Sequence, residues 1–211
     1  IPKDIFLTSI DKIKKSLKNK EINEVFEELK KIEFEDLKVT LNGLHNVLKG
    51  MASSLGKIIS LKIEGDEVYL NKRISLMVKD CLMHIIQNSA DHGIEKEGHI
   101  NLNIKKIEDK IELEISDNGQ GIDAELIHKK ALEKGLVKNS SYDNFSKKDK
   151  LNLIMMAGFS TKSHATEYSG RGVGMDVVKT NINKLGGNIN IDSNLGEGTT
   201  FKINIPYEEA S

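Results

Sequence analysis

The strongest constraint in this chain is a run of apolar residues at helical spacing that carries a polar strip along its side. Ile74, Met77, Val78, Cys81, Leu82, Ile85 and Ile86 recur at three- and four-residue steps or side by side, which predicts one helix with a single buried stripe. On the same helix His84, Asn88, Asp91 and His92 fall at offsets of four, seven and eight residues. At α-helical periodicity those four lie beside the apolar stripe, so the strip borders the core instead of facing bulk water. A side-chain amide there presents a hard carbonyl oxygen. Such a donor suits Mg²⁺, which keeps most of its waters and takes one or two protein ligands plus phosphate oxygens. An incidental polar helix surface is the competing reading of the same four residues.

What this helix packs on follows from the alternating segments around it. His99 to Lys105 and Lys110 to Ser116 alternate apolar and polar residues about the turn-prone Glu108-Asp109, predicting two paired strands. Asn188 to Asp192 and Thr199 to Ile205 do the same around Gly196-Glu-Gly198. Lys57 to Ile63 and Glu67 to Leu70, separated by Gly65-Asp66, read as a further hairpin. Helical periodicity is expected at 35–55, stopped by Gly56, and again at 123–133, 148–156 and 174–185, the last stopped by Gly186-Gly187. About six strands joined by hairpins, with helices between, predict an α+β two-layer sandwich. Its sheet is mixed and mostly antiparallel, and helices cover one face.

Between Ile5 and Ile32 the apolar residues Phe6, Ile10, Ile13 and Leu17, then Ile22, Val25, Phe26 and Leu29, predict two short amphipathic helices broken near Asn19. Residues 1–34 are therefore expected to form an N-terminal helical segment, and 35–211 the main domain. The segment could dock on that domain, pair with a second copy as a homodimer contact, or end a longer helical region. No initiator methionine opens the sequence, so the chain is expected to be a piece of a larger protein.

Two glycine-rich stretches qualify the polar strip. Asp117-x-Gly119-x-Gly121 directly follows a predicted strand, so a carboxylate projects from the strand end while the glycines let backbone turn and approach a ligand. An aspartate so placed can accept a hydrogen bond from an exocyclic amine, although Asp-Asn-Gly also occurs in plain turns. Gly170-x-Gly172-x-Gly174 precedes a helix, where bare N–H groups and the positive end of the helix dipole would meet a polyphosphate. A flexible linker is the alternative there. The spacing is neither the dinucleotide fingerprint nor a phosphate loop of the G-x-x-x-x-G-K-[ST] kind. Lys130, Lys162 and Arg171 lie near these loops in sequence and could neutralise phosphate charge.

Composition limits the partners. Thirty-one Lys plus Arg against thirty-two Asp plus Glu leave a net charge of −1, so bulk electrostatics favour neither nucleic acid nor an anionic membrane, and phosphate binding must be local. The single cysteine, Cys81, sits among apolar residues and reads as buried packing in a reducing compartment. No apolar run approaches the ~20 residues that cross a bilayer, which with the absence of a signal-peptide pattern predicts a cytoplasmic location or the cytoplasmic part of a larger sensor. His45 on the predicted 35–55 helix lacks an acidic neighbour and reads as an ordinary helix residue.

Read jointly, the asparagine helix, D-x-G-x-G, long loop, G-x-G-x-G and G-x-G-T resemble the ATP-binding fold shared by histidine kinases, DNA gyrase B, Hsp90 and MutL. Within that group HIIQNSADHGIE, GFSTKSHATEYSGRGVGMDVVK and GEGTTFKINIP resemble the kinase domain of CheA-type chemotaxis histidine kinases, over about Leu41 to Tyr207. The resemblance implies ATP and Mg²⁺ as cofactors, with Asn88 holding the metal and His84 near the γ-phosphate, where related ATPases carry a glutamate base. It implies contacts from His92 and Lys130 to phosphate or ribose, Asp117 accepting from the adenine amine and Gly121 lining the base pocket, with Asp91 and Gly119 also among the nucleotide-binding residues. It further assigns Phe159, Ser160 and Lys162 to a loop over the nucleotide. Gly170, Gly172, Gly174 and Met175 fall at the hinge of that lid, Ser169, Arg171 and Val173 join the nucleotide-binding residues beside them, and Thr199 on the last strands completes the pocket.

By the same resemblance the phosphoryl acceptor is a histidine on a separate domain, in cis or in trans, which then serves a response regulator. None of the six histidines here has such a setting. A non-catalytic ATP-binding sensor of the same fold is the alternative. Departures from the family pattern are Gln87 in place of an arginine, Leu126 in place of a lysine, a shorter loop after Gly93, and a sequence that stops near Pro206.

Overall fold

The computed structural model describes residues 33–138, 145–159 and 174–207. The helices expected between Ile5 and Ile32, as well as Ser160, Lys162 and the stretch 169–173, lie outside them. Chain order is β1 (Phe34–Asp36), α1 (Leu37–Leu41), α2 (Gly43–Ser54), β2 (Ile58–Gly65), β3 (Tyr69–Asn71) and α3 (Lys72–Asn88). There follow β4 (Glu97–Ile107), β5 (Lys110–Asp117), α4 (Ala124–Glu133), α5 (Lys147–Asn152), α6 (Met175–Lys184), β6 (Asn188–Asn194) and β7 (Gly198–Pro206).

Helix α3 forms where the apolar stripe predicts it. Asn71 caps its start by accepting from the Arg73 amide at 3.0 Å, and Val78, Cys81, Leu82, Ile85 and Ile86 are buried. The helix does not stop at Asn88. It widens into a π-helical turn, Ser89–Gly93, in which the Ile94 amide donates five residues back to the Ser89 carbonyl at 2.8 Å. The α-helical spacing that predicts one strip for His84, Asn88, Asp91 and His92 therefore holds only to Asn88.

The main sheet has the order β2-β4-β5-β7-β6, with β2 parallel to β4 and every other pair antiparallel. Period-two patterning decides its faces: Ile111, Leu113 and Ile115 are buried beneath the helices, while Glu112, Glu114 and Ser116 turn the other way. The mixed sheet with helices on one face is thus as the strand pattern predicts.

Two local expectations fail. The hairpin of Lys57–Ile63 with Glu67–Leu70 does not form, because Gly65-Asp66 carries β2 onward beside β4 instead of turning it back. The Asp66 amide donates to the Ile104 carbonyl at 2.8 Å, and its carboxylate accepts from the Lys106 amide at 2.7 Å. Tyr69–Asn71 pairs instead with Phe34–Asp36 in a separate two-stranded sheet. The helix expected over 35–55 is interrupted at Asn42, yet Leu37, Leu41, Leu44, Leu48 and Met51 are all buried, since both pieces keep the same face inward. Among the described residues no helix is long and apolar enough to cross a membrane.

Leu113, fully buried on the central strand, is the sharpest test of this core. Leu113→Ala is expected to lower the unfolding free energy by about 2–5 kcal/mol in a urea titration. Leu195→Ala, at a position 65% exposed, should change it by less than about 0.5 kcal/mol.

Candidate functional site

Asp117 is the last residue of β5 and is only 9% exposed. A carboxylate that deep needs partners. Two come from different elements: Ser89 Oγ donates to Oδ2 at 2.7 Å, and the Gly119 amide donates to Oδ1 at 2.9 Å. A carboxylate offers about four acceptor sites, so capacity remains for a donor from outside the chain.

The D-x-G-x-G loop is sewn to the π-helical turn by backbone contacts. Gln120 donates through its amide to the Gly93 carbonyl at 2.8 Å and through Nε2 to the His92 carbonyl at 2.7 Å. A Cβ on Gly119 would run into the Gly93 carbonyl oxygen. Gly121 has φ +70°, and a Cβ there would strike the Asn194 carbonyl oxygen. Both glycines are therefore required by close approach, Gly121 also by its left-handed backbone.

On the far side of the loop, β6 and β7 complete the cradle. Thr199 is the register partner of Asp117. The Ile122 amide donates to Ser193 Oγ at 2.9 Å, and Ser193 Oγ donates to the Gly198 carbonyl at 2.7 Å. That leaves Thr199, 2.9 Å from Ser193 Oγ, as the donor of their shared hydrogen bond.

Asn88 immediately precedes Ser89 and is half-buried, as is His84 one turn earlier. Burial pushes the His84 imidazole below the usual histidine range, against a weaker upward pull from Asp80. The neutral ring is thus favoured at pH 7. Burial pushes the Cys81 thiol, helped by Asp80, up to about 12, which makes it inert packing as expected. Asp91 is half-buried and His92 exposed on the widened turn.

Lys130 lies exposed on α4, one turn before Lys134, whose Nζ donates to the Phe159 carbonyl and stands 5.5 Å from that ring's centroid. Phe159 is thereby tied to the end of α4. Gly174 caps α6 with extended backbone, and Met175 is buried in the core. Leu126 is exposed on α4, and Gln87 is half-buried on α3.

The structure thus gathers Asp117, Gly119, Gly121 and Thr199 into one cradle, with Asn88 and His84 on the helix that ends there. Ser89, Ser193 and Lys134 escape sequence reasoning. Ser89 follows Asn88 directly, but its partner lies 28 residues away, and no local pattern reveals such a pair. Among the described residues no group of three or more His, Cys, Asp or Glu is arranged to hold a metal. A cation at this site would need oxygens from a ligand to complete its shell.

Residues 73–209 match the family described as histidine kinase-, DNA gyrase B- and HSP90-like ATPase. The sensor histidine kinase CheAY of Helicobacter pylori is 43% identical over 176 residues, 78% of this chain and 22% of that protein. The chemotaxis protein CheA of Borreliella burgdorferi is 42% identical over 172 residues, 76% of this chain and 20% of that protein. The chain therefore spans about a fifth of the length of these two curated relatives. The catalytic domain of the histidine kinase ThkA shares the fold, with a TM-score of 0.55 at 16% identity over 82% of this chain and 95% of that one.

Two outcomes test the site's geometry. Since the folded His84 value lies below the unfolded one, the unfolded chain takes up that proton first as pH falls. The fold should then lose stability at this residue below about pH 6.5 and carry no such penalty above it. A ring-resonance NMR titration should place the His84 midpoint below that of a histidine peptide, and His84→Gln should flatten this part of the stability profile. Gly121→Ala should cost about 2–4 kcal/mol in urea unfolding, from strained backbone and the clash with Asn194.

Proposed function

The chain belongs to the histidine kinase-, DNA gyrase B- and HSP90-like ATPase family, and from that premise we propose that it is the ATP-binding catalytic part of a CheA-like histidine protein kinase. Its reaction would transfer the γ-phosphoryl group of Mg-ATP to an imidazole nitrogen of a histidine on a separate phosphoacceptor domain, in cis or in trans. A response regulator would receive the group next.

The observation that carries this reading is the Asp117 carboxylate, nine-tenths buried and held from two sides by Ser89 and Gly119. A fixed, dry acceptor at the floor of a glycine-lined cradle suits the exocyclic amine of adenine, because a base that lacks the donor would leave the carboxylate unmatched. Gly119 and Gly121 let the loop close onto the Gly93 and Asn194 carbonyls, which holds the acceptor in place. Asn88, next to Ser89, would offer its amide oxygen to the metal, and Mg²⁺ would supply charge compensation between phosphate oxygens. His84, kept neutral by burial, adds no charge beside the phosphates. It stands where water-activating relatives need a carboxylate base, which favours transfer to a protein acceptor over hydrolysis.

Lys130, exposed on α4, would reach phosphate or ribose, while we assign Phe159, Ser160 and Lys162 to the loop that covers the nucleotide and the 169–175 stretch to its hinge. Little covalent chemistry is asked of these groups, since positioning and electrostatic compensation account for most of phosphoryl transfer.

Incubation with γ-labelled ATP and a CheA-type phosphoacceptor module tests the assignment. Label should appear on the acceptor histidine, and Asn88→Asp should reduce the rate by about 10²–10³-fold. Tight ATP binding without transfer to an acceptor would support a non-catalytic sensor instead.

A further inference from the structure

The polar strip ends in a π-helical turn whose carbonyls are gathered by one cation from a distant part of the chain. Lys57 lies in the link between α2 and β2. Its own amide donates to the Ala52 carbonyl at 2.8 Å, and the next amide, of Ile58, donates to the Lys96 carbonyl at 2.8 Å, so its backbone is fixed at both sides. From that anchor its Nζ donates to the carbonyls of Ala90 at 2.6 Å, Ile94 at 2.7 Å and Asp91 at 3.3 Å. An ammonium has three donors, and all three are directed to this turn.

We infer that Lys57 is a positioning residue for the nucleotide site: it sets the π-helical turn that in turn aims Asp117. The inference rests on the reading of this cradle as the adenine site. The carbonyls Lys57 holds bracket His92 and Gly93 and follow Ser89 directly, and all three of these residues touch the D-x-G-x-G loop. Ser89 bonds the Asp117 carboxylate, the His92 and Gly93 carbonyls receive Gln120, and Gly119 fits against Gly93. Asn88 is the residue before Ser89. Without the ammonium, carbonyls at the negative end of the helix lose a charged partner, and the turn is free to relax toward ordinary α-helical bonding. Such a change shifts Ser89 and Gly93 together, and with them the carboxylate that would read the base. A role confined to stability would leave ligand affinity in the folded fraction untouched.

The test uses the whole 211-residue chain and measures Mg-ATP binding by calorimetry together with amide hydrogen exchange. Wild type should bind. Lys57→Met, which keeps the length and removes the donors, should bind at least about tenfold more weakly while still folded, as expected when charge-assisted hydrogen bonds are lost. Exchange should accelerate at the amides of Ile94, Gly119 and Gln120. Lys57→Arg, which restores donors, should recover most of the affinity. Leu113→Val, a destabilised comparator away from the turn, should bind as wild type does. Wild-type affinity in Lys57→Met, or an equal loss in Leu113→Val, would overturn the positioning role while the nucleotide reading stands. Failure of the wild-type chain to bind Mg-ATP would overturn both, and is recognised before any variant is compared.

Discussion

The parallel pairing of β2 with β4 is the constraint on which the rest of the molecule depends. Parallel neighbours cannot be joined by a tight turn, so the chain must cross over the sheet, and α3 makes that crossing with its apolar stripe against the core. The crossing delivers the end of α3 to the start of β4. Because β5 runs antiparallel to β4, its last residue, Asp117, arrives at the same end of the sheet, opposite Ile100. Antiparallel β7 then begins there at Gly198, with Thr199 opposite Asp117, and β6 ends there at Asn194. Convergence of four strand ends and one helix end is a consequence of strand direction alone.

What fills that convergence is held by backbone more than by side chains. The Gly93 and Asn194 carbonyls lie against the D-x-G-x-G loop, which can come so close to them only because Gly119 and Gly121 lack Cβ atoms. Backbone contacts of this kind are insensitive to the identity of most neighbouring residues but intolerant of displacement. The π-helical turn has the same character. It adds one residue to the path between Asn88 and Ile94 and so rotates Asp91 and His92 away from where α geometry would leave them.

The cations follow a division of labour. Lys57 is half-buried and bonds carbonyls at a helix end, Lys134 engages the Phe159 carbonyl and ring, and Lys150 pairs with Glu125 at 2.7 Å between α5 and α4. Each ties two segments together. A chain with a net charge of −1 has no excess positive field to attract a polyphosphate from afar, so recognition has to come from groups already fixed in place.

The sequence by itself determined the strand alternation, the helix stripe, the stops at Gly56 and Gly186, the mixed sheet with helices on one face, and the strand-end loop of Asp117, Gly119 and Gly121. Those signals are local: periodicity, caps and glycine spacing act within a few residues. Tertiary structure decided the pairing of β2, since Gly65-Asp66 reads as a turn until a partner strand offers Ile104 and Lys106 to it. It also decided the π-helical turn, the clasp of Ser89 on Asp117 across 28 residues, and the reach of Lys57 across 33 to 37 residues to its carbonyls. Each of those is a hydrogen bond between residues far apart in the chain, and its partner is chosen by how the layers stack, which no window of sequence contains.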